Sequence, residues 1–240
     1  MSQFASTSLS SIPSFDPRQI PVVGVDTHLP AVQREWLLPQ ALQQRFANPP
    51  NWTPEIVSEK SYSNRTEVTK ASVLVPIVLR GSLHDQPTVL LTQRTARMST
   101  HSGQIAFPGG KSDLLDVDAT ATALREAHEE VGLDAKFVEV LGQLPTYMTG
   151  SAFVITPVVA LVHPGFTLMS NPVEVEDVFE VPLEFLMNPS NHRRHEIPWR
   201  DTTRQWFSMP YIELDTGKEH FIWGATAGML RNLYRFLVAR

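Results

Sequence analysis

Between Ala71 and Leu79 (ASVLVPIVL) nearly every position is apolar, and four of the nine are β-branched. That pattern predicts a strand buried on both faces. Thr88–Gln93 repeats it after a polar turn at Gly81–Gln86, so the two segments suit a hairpin. Gln104–Phe107 predicts a short strand running into Pro108-Gly109-Gly110. Then the period changes. From Ala119 to Val131, Thr120, Leu124, Ala127 and Val131 fall on one helical face. Asp118 is placed to cap that helix and Gly132 to end it. Phe137–Leu141, Val154–Leu161 and Val178–Val181 predict further strands, and Pro182–Met187 a short helix. Glu196–Trp199, Gln205–Tyr211 and Phe221–Trp223 predict an antiparallel group. Gly224–Val238 predicts an amphipathic helix with Leu230, Leu233 and Leu237 on its buried side. Strands in runs with few helices predict an α/β (α+β) class, helices packed on a mixed sheet.

The first seventy residues break this pattern. They hold eight of the chain's nineteen prolines, a density that interrupts helices and central strands. Residues 1–69 therefore read as a proline-rich, peripheral arm with one short helix over Ala31–Phe46 and a loop over Pro49–Thr69. Residues 70–240 read as the main domain.

Composition narrows the function classes. With 42% hydrophobic residues in 240, the chain can build a substantial core. A net charge of −5 argues against a nucleic-acid binder acting by broad phosphate neutralisation. The absence of cysteine removes disulfides, thiolate zinc sites and cysteine nucleophiles. No apolar run is long enough to cross a membrane, and neither a secretory signal nor a peroxisomal address is evident. The expectation is a cytoplasmic protein with no membrane partner, and a homodimer is compatible with it.

The chemistry concentrates in Leu124-Arg125-Glu126-Ala127-His128-Glu129-Glu130-Val131-Gly132-Leu133. Helical spacing puts Glu126, Glu129 and Glu130 on one face, away from the apolar stripe. Arg125 stands four residues before Glu129 and can pair with it. Converging carboxylates repel, and a hard cation such as magnesium or manganese relieves the repulsion. A solvated acidic face is the plain alternative. Just upstream, Gly109-Gly110 allows close backbone approach to a ligand and offers a carbonyl, and Lys111 can meet phosphate. His101 and His128 are assigned no catalytic part, and Phe153 and Trp223 are expected in the core.

Strand, glycine loop, acidic loop and carboxylate helix together resemble the signature of the Nudix hydrolases. Arg125, Glu126, Ala127, Glu129, Glu130, Gly132 and Leu133 match its second half. The loop from Gly110 to Arg125 is one residue longer than usual, and Asp113, Asp116 and Asp118 stand near the place of the usual loop glutamate. The longer loop is similar to that of the coenzyme A pyrophosphatase branch. So is the preceding segment, where Leu90, Leu91, Thr92, Arg94, Gly103 and Phe107–Gly110 match. Thr95 replaces a usual Ser or Ala, and Ser99 replaces a usual arginine, for which Arg97 is the nearby substitute. Leu144–Val159, Asn171–Val175 and Ile222–Thr226 resemble further stretches of the branch, so the likeness spans Ala71–Leu237.

The resemblance implies an α/β/α sandwich around a mixed sheet and a pyrophosphohydrolase using Mg2+ or Mn2+. It implies metal ligation by Glu126, Glu130, Glu129 and the Gly110 carbonyl, with Arg125 in the catalytic group. Arg94, Arg97, Gly109, Gly110 and Lys111 would contact a small nucleotide substrate. That substrate would be coenzyme A or a thioester of it, split into 3′,5′-adenosine bisphosphate and 4′-phosphopantetheine or its acyl form. Glu129 and Glu174 are both open as general base. Another nucleoside diphosphate derivative is the alternative substrate. A non-catalytic nucleotide-binding regulator would be expected to have lost carboxylates that this chain keeps.

Overall fold

The computed structural model describes residues 16–59, 68–96, 103–199 and 202–240. Its centre is β2 (Thr69–Val78), which runs parallel to β8 (Phe153–Val162) from Thr69↔Phe153 to Val78↔Val162. β3 (Thr88–Arg94) pairs antiparallel with the end of β2 through Ile77↔Val89, as a hairpin should. β3 also pairs with β4 (Ile105–Ala106) and β9 (Val175–Pro182). β5 (Gly109–Lys111) joins the start of β2, while β6 (Val138–Gln143) and β7 (Tyr147–Met148) pair with β8. The sheet is mixed, as its pattern of long buried runs and short edges implied.

Alternation along β2 sorts two hydrophobic layers. Leu74 and Val78 join Leu90, Val158 and Ala160 beneath α2 (Ala119–Val131), which contributes Ala123, Ala127 and Val131. Val73, Val75 and Ile77 face the other way, into a cluster with Leu230, Leu233 and Leu237 of α4 (Gly224–Val238). Helix, mixed sheet and helix thus form the expected α/β/α sandwich. α2 has the predicted ends: the Asp118 carboxylate accepts from Ala121 N at 2.8 Å, and Gly132 is left-handed at φ 70°.

A second antiparallel sheet has the order β1–β10–β11–β12, from Val22–Val25, Arg193–Trp199, Thr202–Ile212 and Glu219–Trp223. Its hairpin is longer than predicted. β1 was not predicted, because one strand of four residues after Pro21 has no recognisable period; it forms by pairing with β10.

The arm departs from expectation in two respects. Its helix, α1 (Pro39–Ala47), starts eight residues later than predicted. Pro39 forces Leu38 into an extended conformation (φ −70°, ψ 150°), so the helix can begin only at the proline itself. The arm is also not peripheral. Val32, Leu37 and Leu42 are buried in the main core.

The arm's polar groups complete α4 as well. Asn232 Oδ1 accepts from Glu55 N and Ile56 N at 3.0 and 3.1 Å, and Tyr234 donates to the Pro30 carbonyl at 2.8 Å. Arg231, only 1% exposed, pairs with Asp26 and Glu55, each at 2.8 Å. α4 is therefore buried nearly all round rather than along one stripe, because the arm covers its polar side. Among the described residues no helix is long and apolar enough to cross a membrane.

Candidate active site

The loop before α2 and the second half of that helix are joined by Arg125. Its Nε and Nη2 donate to the Asp116 carboxylate at 3.0 and 2.9 Å, and Nη2 also reaches the Lys111 carbonyl at 3.0 Å. Nη1 donates to Glu126 at 2.9 Å and Glu129 at 3.1 Å. The predicted Arg125–Glu129 pair is present, but the arginine's wider part is to orient the loop and two carboxylates at once. Arg125 is a positioning residue here.

The three acidic loop residues have separate tasks. Asp116 takes Arg125 in a bidentate pair and also accepts from Thr122 Oγ1 and Asp113 N, at 2.9 and 2.8 Å. The Arg125 hydrogen bond, with the backbone bond from Asp113, holds its carboxyl well below the usual range. Asp118 caps α2, and Asp113 accepts from Leu115 N at 3.0 Å. Spacing alone did not single out Asp116, since all three lie within one flexible-looking loop.

Glu130 is 3% exposed. Its carboxylate accepts from Gly109 N at 3.1 Å and lies 3.5 Å from Arg94 Nη1. Burial pushes it up to about 7, against the Gly109 hydrogen bond and the Arg94 charge. Glu126 is raised too, first by burial; Arg125 opposes this, and the charges of Glu129 and Glu174 add to it. Glu174 also raises Glu130, so the loop after β8 carries a fourth carboxylate into the same field. Glu129 is the most open of the helix's three, its side chain 54% exposed.

Two glycines are required by close approach. A Cβ on Gly109 would lie 2.5 Å from the Ser72 carbonyl, within the β2–β5 pairing. A Cβ on Gly110 would meet the Glu126 carboxylate carbon and both oxygens at 2.5 Å. The backbone at Gly110 therefore lies directly against Glu126.

Among the described residues, no three His, Cys, Asp or Glu side chains are gathered into a ready metal cage. Glu126 and Glu129 turn toward Arg125, and Glu130 turns toward Gly109. The donor set still suits a hard cation. It is all oxygen, two of its carboxylates are desolvated and raised by their neighbours' charge, and only a glycine fits against Glu126. Glu126, Glu129, Glu130 and the Gly110 carbonyl are the groups that could hold it.

Beside this helix opens a cavity of about 1080 Å3. Arg94, Gly109, Gly110 and Lys111 are among its lining residues, so four of the five predicted substrate contacts line one cavity. Arg97, Ser99 and His101 lie outside the described residues. Phe153 and Trp223, expected in the core, are instead half-buried on the cavity wall, and Lys111 Nζ stands 5.9 Å from the Phe153 ring centre. The strand pattern puts both rings on β-strand ends, where the layers part and a ring can face the opening. His128 is exposed on α2. Sequence reasoning missed Glu55, Glu59, Arg204 and Trp206, which also line the cavity. They come from the arm and the second sheet, where no local motif marks them.

A fold and site of this kind define a family. The NUDIX domain model matches residues 68–219, and the chain belongs to the Nudix family of hydrolases. It is 40% identical over 163 residues to a Photorhabdus laumondii protein named "Uncharacterized Nudix hydrolase NudL", covering 68% of this chain and 82% of that one. The Escherichia coli K12 protein of the same name is 40% identical over 165 residues, covering 68% and 80%. Among solved structures, a Caenorhabditis elegans Ap4A hydrolase complex is 20% identical with a TM-score of 0.41, covering 51% of this chain and 86% of that one. An Enterococcus faecalis MutT/nudix family protein is 16% identical with a TM-score of 0.41, covering 72% and 63%. Nudix hydrolases generally need a divalent metal and act on small nucleotide substrates.

Proposed function

We propose that this protein hydrolyses the pyrophosphate bond of coenzyme A or its thioesters. The observation that carries the hydrolytic reading is the backbone at Gly110 set against Glu126, beside buried Glu130, at the end of a large cavity. The substrate is supported by the segment Leu90–Gly110 and the lengthened loop, and by a cavity at the upper end of the usual range for organic ligands. Ser99, in place of the branch's arginine, favours the second reading, another nucleoside diphosphate derivative such as ADP-ribose or a dinucleotide.

Magnesium or manganese held by Glu126, Glu129, Glu130 and the Gly110 carbonyl would neutralise diphosphate charge and make the attacking water more acidic. Arg94 and Lys111 bind the diphosphate from the cavity wall. Arg125 keeps Glu126 and Glu129 oriented. The water's oxygen bonds to one phosphorus while the bridging P–O bond breaks, and its proton passes to Glu129 or Glu174. The products are 3′,5′-adenosine bisphosphate and 4′-phosphopantetheine or its acyl form.

Coenzyme A, ADP-ribose and diadenosine tetraphosphate compared side by side test this, with products resolved by chromatography. Coenzyme A should turn over fastest. Activity should vanish with a chelator and return with magnesium or manganese. Undiminished activity after exhaustive metal removal would overturn the mechanism, and faster ADP-ribose or dinucleotide hydrolysis would move the substrate to the second reading.

A further inference from the structure

The cavity has a wall that the family-matched region does not supply. Residues 55–59 lie before the match begins at 68, yet Glu55, Ile56, Val57, Ser58 and Glu59 all line the cleft that holds Arg94 and Gly109–Lys111. The segment is built in at both ends. At its start, the Glu55 carboxylate takes Arg231 Nε at 2.8 Å and Arg194 at 3.0 Å, and the Asn232 amide holds Glu55 N, Ile56 N and the Ile56 carbonyl. In its middle, Ser58 bridges parallel to Met148, with Met148 N bonded to the Val57 carbonyl at 2.9 Å and Glu59 N to the Met148 carbonyl at 2.7 Å. At its end, the Glu59 carboxylate accepts from Tyr147 Oη at 3.1 Å and Gly150 N at 3.0 Å, and faces Arg204 at 3.7 Å.

Such anchoring exceeds what a surface connection needs. Connecting segments ordinarily run over the surface and are more mobile than the elements they join. This one presents Ile56 and Val57 to a cavity whose other side includes Trp206 and Trp223. Val57 is 51% exposed, so its side chain is reachable.

We infer that residues 55–59 form a substrate-specificity wall of the cleft, which contacts the organic group attached beyond the diphosphate. Ile56 and Val57 are the contacting side chains. Glu59 is a positioning residue that sets how close they come. The wall rests on the hydrolase reading above, since it needs a diphosphate seated at Arg94 and Lys111. It adds a selecting element from the arm, and it treats large and small substrates differently: a compact diphosphate ester need not reach it.

The test measures kcat, KM and Tm of the full chain with coenzyme A, for the parent and three variants. Val57→Trp fills the cleft from an exposed position. It should raise KM about tenfold, with kcat within twofold and Tm unchanged. Glu59→Ala frees the end of the wall and should raise KM severalfold. Glu59→Gln keeps an acceptor oxygen for Gly150 N, while its amide N–H can donate to Tyr147 Oη, and it should recover most of the parent's KM, which a loss of fold would not do. A parent that turns over coenzyme A but whose KM stays within twofold in Val57→Trp overturns the wall alone. A parent that hydrolyses neither coenzyme A nor ADP-ribose nor diadenosine tetraphosphate fails the functional reading, and the wall falls with it.

Discussion

Two arginines organise this molecule, and they do so in opposite surroundings. Arg125 gathers Asp116, Glu126 and Glu129 at the edge of the cleft, with its side chain 30% exposed. Arg231 gathers Asp26 and Glu55 where its side chain is 1% exposed, and its Nη1 contacts His192 Nδ1 at 3.1 Å. Each is a cation among carboxylates, although at the buried site Arg194 shares both Asp26 and Glu55. At the open site the carboxylates can exchange a partner, which is what metal and substrate binding requires. At the other, the arginine is enclosed and its carboxylates are shared with Arg194, so the same chemistry ties distant chain segments together. Burial, more than residue type, separates the two roles.

The comparison can be broken most directly by removing each cation. Arg231→Ala leaves Asp26 and Glu55 with only the more exposed Arg194, and the expected loss is about 3 kcal/mol of folding stability, at the lower end for a broken buried pair. Arg125→Ala removes a half-exposed hub and should cost about 1–2 kcal/mol, while lowering turnover through misoriented glutamates. Urea unfolding of both variants decides this; equal losses would erase the distinction between an open and a sealed site.

Next in size is the effect of the carboxylates themselves. Glu126→Gln and Glu130→Gln should each lower kcat by about a hundredfold or more, since a lost metal ligand removes transition-state stabilisation of several kcal/mol. Their unfolding midpoints should stay near the parent's. Near-normal kcat in both would return α2 to a solvated acidic face.

A further effect, confined to acid conditions, concerns pH at the sealed site. Burial, with the Arg231 charge adding to it, pushes His192 down to about 4, although its hydrogen bond to the Leu186 carbonyl resists. The unfolded chain, with histidine near its ordinary 6.5, binds the proton first as pH falls. Stability is therefore complete above about 6.5 and declines from there toward pH 4, by about 2.5 kcal/mol at pH 4.5. Asp26 is pushed up by burial but held lower overall by Arg194 and Arg231, so its contribution is lost at still lower pH. Urea midpoints at pH 8 and 4.5 measure the first effect. Replacing His192 with Gln should flatten the slope, and an unchanged slope would mean that other groups carry it.

The two hubs also differ in how far the sequence discloses them. Arg125 meets its side-chain partners one, four and nine residues away, so helical spacing and one loop were enough to expect the glutamates and the glycine pair together. Arg231 meets Glu55 across 176 residues. No local period encodes such a meeting, and Asp26, Glu55 and Arg231 each look like ordinary surface charges in the chain. The central strands were legible for the same local reason: β2 and β8 are continuous apolar runs. The second sheet was only partly legible, since β1 exists by virtue of β10. Prolines misdirected the reading of the arm. They limit regular structure, but they do not stop Leu37 and Leu42 from being buried.

The amide of Asn232 holds the backbone at Glu55 and Ile56, and this orders events during synthesis. A ribosome delivers the wall residues well before their anchor, which follows 176 residues after Ile56. While the chain is being made, the carboxylate helix and the central strands can already associate, but the segment at 55–59 has only the edge at Tyr147–Gly150 to dock on and lacks its anchor at Asn232. The pocket therefore stays open on one side until α4 has emerged. Nascent chains arrested before Asn232 should be nicked by protease within 55–59, where the finished protein resists, and equal resistance in the arrested chains would show that β7 alone suffices to seat the segment. The order of synthesis thus makes α4 a latch: the reactive groups are in place first, and the enclosure that selects what reaches them closes only once Asn232 has emerged.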